Sequence, residues 1–294
     1  MLFQNFEALA ALGEFQTMSR AAARLGVTQP AISKRIRQLE ADLGRKLVEP
    51  MGRNVVLTPY ATMLLERARP LYLQFKEALQ EEVSEGTGEL TIALSGALLL
   101  SWGAKILKKI RQDNPAIKFS FAVHRSPIAI ARVRSGECMV AIVHGLSELT
   151  PDLDSRYLAD EEFVIVPSEL KPFGLPRRGG RLSLLTVEAH SETWSALERK
   201  LRRWAGKSGV ELEVANTLQN FHAVSQLAHA GYGNGLAPIG VPLALGISRS
   251  KLVSFPKPGL QIPISLVGRR STLERGLVVR FFESLRAAIE AQGR

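Results

Sequence analysis

Residues Ser19 to Leu43, SRAAARLGVTQPAISKRIRQLEADL, restrict this chain more than any other stretch, because two short helices must meet there at a tight turn. Ser19 is placed to cap the first helix, whose Ala21, Ala22 and Leu25 recur on one face. Gly26 stops it by tolerating a left-handed backbone, and Val27 supplies an apolar plug. Thr28 is the expected N-cap of the second helix, with Pro30 in its first turn where a missing N–H costs nothing. Ala31, Ile32, Ile36, Leu39 and Leu43 form a buried stripe, which leaves Gln29, Ser33, Lys34, Arg37 and Gln38 facing outward.

That outer face suits DNA. In a major groove Gln pairs with adenine, Arg or Lys with guanine, and Ser with phosphate or a base edge. A solvated face of a helical hairpin would also carry Lys and Arg. The glycine turn, the proline-started helix and the small residues of the first helix together favour the DNA reading. Ser19, Arg20, Thr28, Gln29, Pro30, Ser33, Lys34, Arg37 and Gln38 are therefore the candidate DNA-contacting residues.

Charge agrees. The 294 residues carry a net charge of +10 and an isoelectric point near 10.0, which draws polyanions. Eight basic side chains stand against three acidic ones between Thr17 and Arg53.

The run from Phe6 to Thr58, with AAARLGVTQPAISKRIRQLEADLGRKL followed by RNVVLT, resembles the N-terminal domain of LysR-type transcriptional regulators. The resemblance spans helix, turn, recognition helix and wing without a gap. Val48 stands where the family usually has Phe, and Pro59-Tyr60 where Ala-Gly commonly follows the wing Thr; neither position reads bases in the family.

Phe3, Phe6, Leu9, Ala10 and Gly13 predict a scaffold helix at the start. Leu47-Val48 and Val55 to Leu57 alternate around Met51 to Asn54 as a β-hairpin, the wing, with Arg53 at its tip for the minor groove. Thr58-Pro59 starts a long helix whose stripe Leu64, Leu65, Ala68, Leu71, Tyr72, Phe75, Ala78 and Leu79 is too wide for its own neighbourhood. A second copy would cover it, so Leu64, Ala68, Leu71, Phe75 and Leu79 are the expected dimer seam, within a homodimer or homotetramer. Packing on the chain's own C-terminal lobe is the alternative. Glu81 to Gly88 reads as a polar hinge.

From Glu89 onward strands alternate with helices, which predicts parallel sheet covered on its faces. Expected strands are 90–94, 118–123, 139–143, 163–166, 182–187, 211–215, 235–238 and 262–267. Expected helices are 101–111, 128–134, 192–208, 221–230 and 273–291. The resemblance implies a two-lobed α/β effector domain similar to periplasmic binding proteins, crossing between lobes near Leu158 to Glu162 and returning near Val267 to Arg270. The expected architecture is thus a winged helix-turn-helix (1–58), a linker helix and hinge (59–88), lobe I (89–161 and 268–294) and lobe II (162–267). Gly136-Glu137-Cys138-Met139-Val140-Ala141-Ile142 lacks the acid that the family commonly has in this segment, which puts the local pairing of lobe I in question.

Ligands of parallel α/β lobes sit beyond the strand ends, at helix N-termini. Ser95, Gly96 and Ala97, Ser126, His144, His190, Asn220 and His222 occupy such ends, and Leu98 to Leu100 suggest an apolar rim. Each could also be no more than a helix cap; the resemblance implies convergence on one cleft. A small organic acid is the expected effector, with a partly protonated His144 adding to the field. No nucleophile elbow, phosphate loop or His-Glu-x-x-His pair is present, Gly231 to Gly235 has the wrong helix-to-strand order for a nucleotide loop, and the histidines lack ligand spacing. Neither enzymatic activity, a cofactor nor a metal is expected.

The lone Cys138, in an apolar run that reads as a buried strand, excludes an internal disulfide. With no signal peptide and no membrane-length apolar run, the expected address is the cytoplasm. Promoter DNA is the expected partner, with RNA polymerase a further one. A basic architectural protein or nucleic-acid enzyme carrying a winged helix is the rival reading.

Overall fold

A computed structural model describes residues 2–52, 54–80, 88–145, 152–168, 173–187 and 192–292. The chain divides into two compact units, Met1–Glu82 and Val83–Arg294.

The first unit runs α1 (Leu2–Phe15), α2 (Met18–Leu25), α3 (Gln29–Leu43), a hairpin of β1 (Val48–Met51) and β2 (Asn54–Leu57), and α4 (Pro59–Gln80). Leu9, Leu12, Ala21, Ile32, Ile36, Leu39, Leu47 and Ala61 close one apolar core. Gly26 is left-handed at φ +64°, and the N–H groups of Gly26 and Val27 return to the carbonyls of Ala23 and Ala22. Thr28 accepts the Ala31 N–H as predicted. Two expectations fail. Thr17, two residues earlier than Ser19, caps α2 by accepting the Arg20 N–H, so Ser19 lies inside the helix. Leu43 is exposed because α3 ends there at Gly44, beyond the reach of the core.

Among the described residues of the second unit nine strands form one sheet in the order β4-β3-β5-β11-β6-β9-β7-β8, with β10 beside β6. The strands are β3 (Gly88–Ser95), β4 (Ile117–His124), β5 (Val140–His144), β6 (Leu153–Val166), β7 (Arg181–Val187), β8 (Glu211–Leu218), β9 (Asn234–Pro238), β10 (Val253–Ser254) and β11 (Leu260–Arg269). The helices are α5 (Gly96–Leu98), which passes through a π-helical turn (Leu99–Gly103) into α6 (Ala104–Asp113), then α7 (Ser126–Arg134), α8 (Glu192–Ser208), α9 (Phe221–His229), α10 (Gly240–Ala244), α11 (Arg270–Glu274) and α12 (Gly276–Gln292).

The sheet is mixed, not parallel throughout. β3, β4 and β5 are mutually parallel, as are β7, β8 and β9, but β6 and β11 run antiparallel to each other and to the triplets they join. These two strands carry the chain between the lobes. β6 pairs with β9 from Phe163 onward, and β11 pairs with β5 from Ile264 onward. Among the described residues three apolar cores result, one around Phe281, Leu266 and Ile92, one around Phe163, Leu197 and Val224, and a smaller one around Ala129, Val133 and Val143 under α7.

Other differences are local. Gly88 belongs to β3 and not to a hinge, and residues 81–87 lie outside the described set. The helix expected from Ser101 begins at Gly96, and the closing helix breaks at Arg275, whose backbone is extended. Cys138 is buried, but in the bend before β5. The pairing of lobe I is intact despite the missing acid: Val140 faces Ile92, and the Met139 N–H donates to Thr91 O at 2.9 Å.

Candidate functional sites: an exposed helix face and an interlobe cleft

On α3 the side chains of Gln29, Pro30, Lys34, Arg37 and Gln38 are exposed, and Ser33 is half-buried among them. Thr28, Ser19 and Arg20 continue the exposed surface. Ser19 Oγ donates to Gln29 Oε1 at 3.2 Å, so the preceding helix orients the glutamine amide. Arg37 folds back on Ser33, donating to its carbonyl and hydroxyl at 3.4 and 3.1 Å, and Gln38 donates to Asp42 at 2.8 Å. Pro30, Lys34, Arg37 and Gln38 line a shallow depression. Arg53 lies outside the described residues.

Glu40 was not expected here. It follows Ile36 by one helical turn, a spacing that already put an acid on the apolar face. Burial alone would raise its carboxyl. Hydrogen bonds from Leu47 N–H at 2.9 Å, Lys46 Nζ at 3.2 Å and Val48 N–H at 3.5 Å outweigh that and hold it below the ordinary carboxylate value.

Along α4, Leu71 is 66% and Phe75 46% exposed, and Phe3 of α1 stacks on Phe75 with centroids 4.5 Å apart. Leu64 packs on the core of its own unit and Ala68 is half-buried. The side chain of Leu79 lies outside the described set.

In the second unit a cavity of about 480 Å³ opens between the lobes. Ser95, Gly96, Ala97, Ser126, His144, Asn220 and His222 all line it, so seven residues expected from separate strand ends meet in one place. His190 lies outside the described residues. Three helical N-termini face the cavity: the run beginning at Gly96, α7 at Ser126, and α9 behind Asn220, whose Oδ1 accepts the Ala223 N–H at 2.9 Å. The positive ends of their backbone dipoles favour negative charge. Leu99, Leu100, Val123, Val187, Phe221 and Val241 supply an apolar wall.

No Asp or Glu is among the described lining residues, whereas Arg125, His124 and Gln219, all absent from the sequence-based site, are. Strand alternation alone does not say that both His124 and Arg125 reach the cleft.

His144 differs from expectation in one respect. It is 1% exposed, and its Nε2 bonds the buried carboxylate of Glu161. The His144 ring is thus paired with a carboxylate behind the cavity wall. Among the described residues no cluster of three His, Cys, Asp or Glu is arranged to hold a metal ion.

The model of the bacterial regulatory helix-turn-helix protein, lysR family, matches residues 3–62, and that of the LysR substrate binding domain matches residues 84–290. The chain belongs to the LysR family. It is a LysR-type transcriptional regulator with a helix-turn-helix DNA-binding domain and an effector-binding domain, and regulators of this family bind promoter DNA and small-molecule effectors and form oligomers. It is similar to a probable hydrogen peroxide-inducible genes activator of Mycobacterium avium, 29% identical over 91% of this chain and 88% of that one. Its fold matches a full-length OxyR variant from Pseudomonas aeruginosa, with a TM-score of 0.73 at 18% identity over 99% and 95% of the two chains. Full-length CbnR complexed with its target DNA gives 0.64 at 21% identity over 98% and 100%.

Proposed function

We propose that this LysR regulator reads its operator with the exposed face of α3 and changes its grip when a small organic acid closes the interlobe cleft. The observation that carries the effector part is the convergence of three helical N-termini on a cavity with an apolar wall and no Asp or Glu among its described lining residues. Each helix N-terminus favours an anion by about 0.3–1 kcal/mol. The effector's apolar body faces Leu99, Val123, Val187, Phe221 and Val241, while its carboxylate takes the polar end near Ser95, Gly96 and Ser126.

Base reading is assigned to Gln29, Ser33, Lys34, Arg37 and Gln38, with Ser19, Arg20, Thr28 and Pro30 setting position and Arg53 reaching the minor groove; exposure of the α3 face supports this, as does the DNA-bound CbnR relative. Leu64, Ala68, Leu71, Phe75 and Leu79 form the seam of a dimer, which pairs further into a tetramer. The working division is 1–58, 59–88, 89–161 with 268–294, and 162–267. The regulator works in the cytoplasm beside RNA polymerase, without a catalytic role of its own. Among the described residues no helix is long and apolar enough to cross a membrane.

Selection of bound sequences from a random DNA pool, followed by footprinting with and without carboxylic acids found by thermal shift, tests the proposal. A two-fold-related site whose footprint changes with an acid is the expected result. Acids that shift melting but leave every footprint unchanged would overturn the regulatory part.

A further inference from the structure

Beside the cavity the two lobes touch each other directly. Ser101, in the π-helical turn of lobe I, sits against Gly240, the first residue of α10 in lobe II. A Cβ built on Gly240 would overlap Ser101 Cβ outright and stand 3.1 Å from Ser101 Cα, so no residue but glycine fits while the lobes keep this spacing. The residues on either side of the contact belong to the cavity: Leu99 and Leu100 precede Ser101, and Val241 follows Gly240.

The lobe I side of the contact is shaped by its backbone. The Ala104 N–H reaches back five residues to Leu99 O, which widens the helix at this point, and Ser101 Oγ donates to Leu98 O at 3.2 Å. Gly103 is required too, since a Cβ there would lie 2.8 Å from that same Leu98 carbonyl. Single π-turns of this kind concentrate at functional positions. On the other side, Ile239 N–H donates to Glu162 O of the crossing strand β6 at 2.9 Å, which ties the start of α10 to the strand about which the lobes would move.

We infer that Ser101 and Gly240 are the positioning pair that sets how far the lobes close, and hence which regulatory state the effector domain adopts. The functional consequence rests on the proposed link between cleft and DNA; the mechanical one does not. Adding bulk at Gly240 wedges the cleft open, and removing the Ser101 side chain relieves the wedge.

The test uses full-length protein with spin labels at Gln112→Cys on α6 and Lys207→Cys on α8, both exposed, while buried Cys138 escapes labelling. Dilution with unlabelled chain isolates the distance within one molecule. The native protein should give a single short distance, Gly240→Ala a longer one and Gly240→Val the longest. Ser101→Gly combined with Gly240→Ala should return the distance toward the native one. A native distance in Gly240→Ala, or a longer one that Ser101→Gly does not reverse, overturns the assignment. Should Gly240→Val fail to fold, the alanine variant and its double mutant decide alone. Because the distances need neither DNA nor effector, an opened cleft with an unchanged footprint would count against the link to DNA and not against the contact.

Discussion

The Glu40 carboxylate accepts the Leu47 backbone N–H at 2.9 Å, so α3 holds the start of the β1–β2 hairpin through a buried bond. Glu40→Ala strands that donor and should cost about 1.5–3 kcal/mol, the usual worth of a hydrogen bond to a charged group. Its carboxyl lies lower folded than unfolded, so its contribution is fully present at neutral pH. It should fade as pH falls below the ordinary value of 4.5 and through the lower folded one. Hydrogen exchange at Leu47 in the full chain, followed against pH, checks this; exchange unchanged in Glu40→Ala would refute it.

Gln29 should dominate base reading because Ser19 pre-orients its amide. Gln29→Ala should weaken specific binding by about 1–3 kcal/mol and relax preference at one base pair, whereas Ser19→Ala should lose about 0.5–1.5 kcal/mol with preference kept. Lys34 is exposed and makes no ion pair with a described residue; its replacement by Ala should cost about 1–3 kcal/mol with relaxed preference if it touches a base. Arg53→Ala should act mainly at A·T-rich flanks. Binding to a randomised operator library separates these outcomes, and identical preference in all variants would defeat the assignment.

The helix-turn-helix was legible because its signals are local: Gly26, Thr28 and Pro30 each act through their own backbone. Ser19 is a good cap by type, but the chain leaves α1 with Gln16 left-handed at φ 57°, and α2 begins directly behind Thr17. The cleft was legible because strand ends are followed at once by helix starts. What stayed hidden depends on tertiary contact. The first half of β6, Leu153 to Asp160, mixes exposed and buried residues along an irregular register and shows no clear alternation. The π-turn reads as ordinary apolar helix, and Val241 joins the cavity only through the interlobe approach.

Leu71→Asp separates assembly from folding. Leu71 is 66% exposed in the single chain, so an aspartate there should leave the monomer's stability nearly unchanged. In a dimer the same charge is buried without a partner and should split the subunits. DNA affinity should fall as well, since half-sites then bind one at a time. Sedimentation of an intact Leu71→Asp dimer with native DNA affinity would remove α4 from the seam.

Cys138 is not placed to react with peroxide. Cys138 is 3% exposed, and burial pushes its thiol up, with Arg132 and Glu137 pulling in opposite directions. A peroxide-reactive cysteine needs an accessible thiolate. Hydrogen peroxide should leave Cys138 unoxidised by mass spectrometry and the footprint unchanged, and Cys138→Ala should keep the effector response. Oxidation of Cys138 in the folded protein, with an altered footprint, would reverse this reading.

Gly96 offers the sharpest test of the cavity. It is the first helical residue after β3, its φ is not left-handed, and an added Cβ meets only Val123 Cγ1 at 3.6 Å, an ordinary contact. Gly96→Ala should therefore fold and respond almost normally. Gly96→Trp directs an indole into the 480 Å³ space and takes up the volume an effector would use. The helix that starts there keeps its backbone, and the helix-turn-helix lies in the other compact unit, so unliganded operator binding should persist. The acid-dependent change of footprint and the acid-dependent thermal shift should both disappear in the tryptophan variant. If Gly96→Trp still binds and answers the same acid, the effector sits outside this cavity and the converging helix ends serve the fold alone.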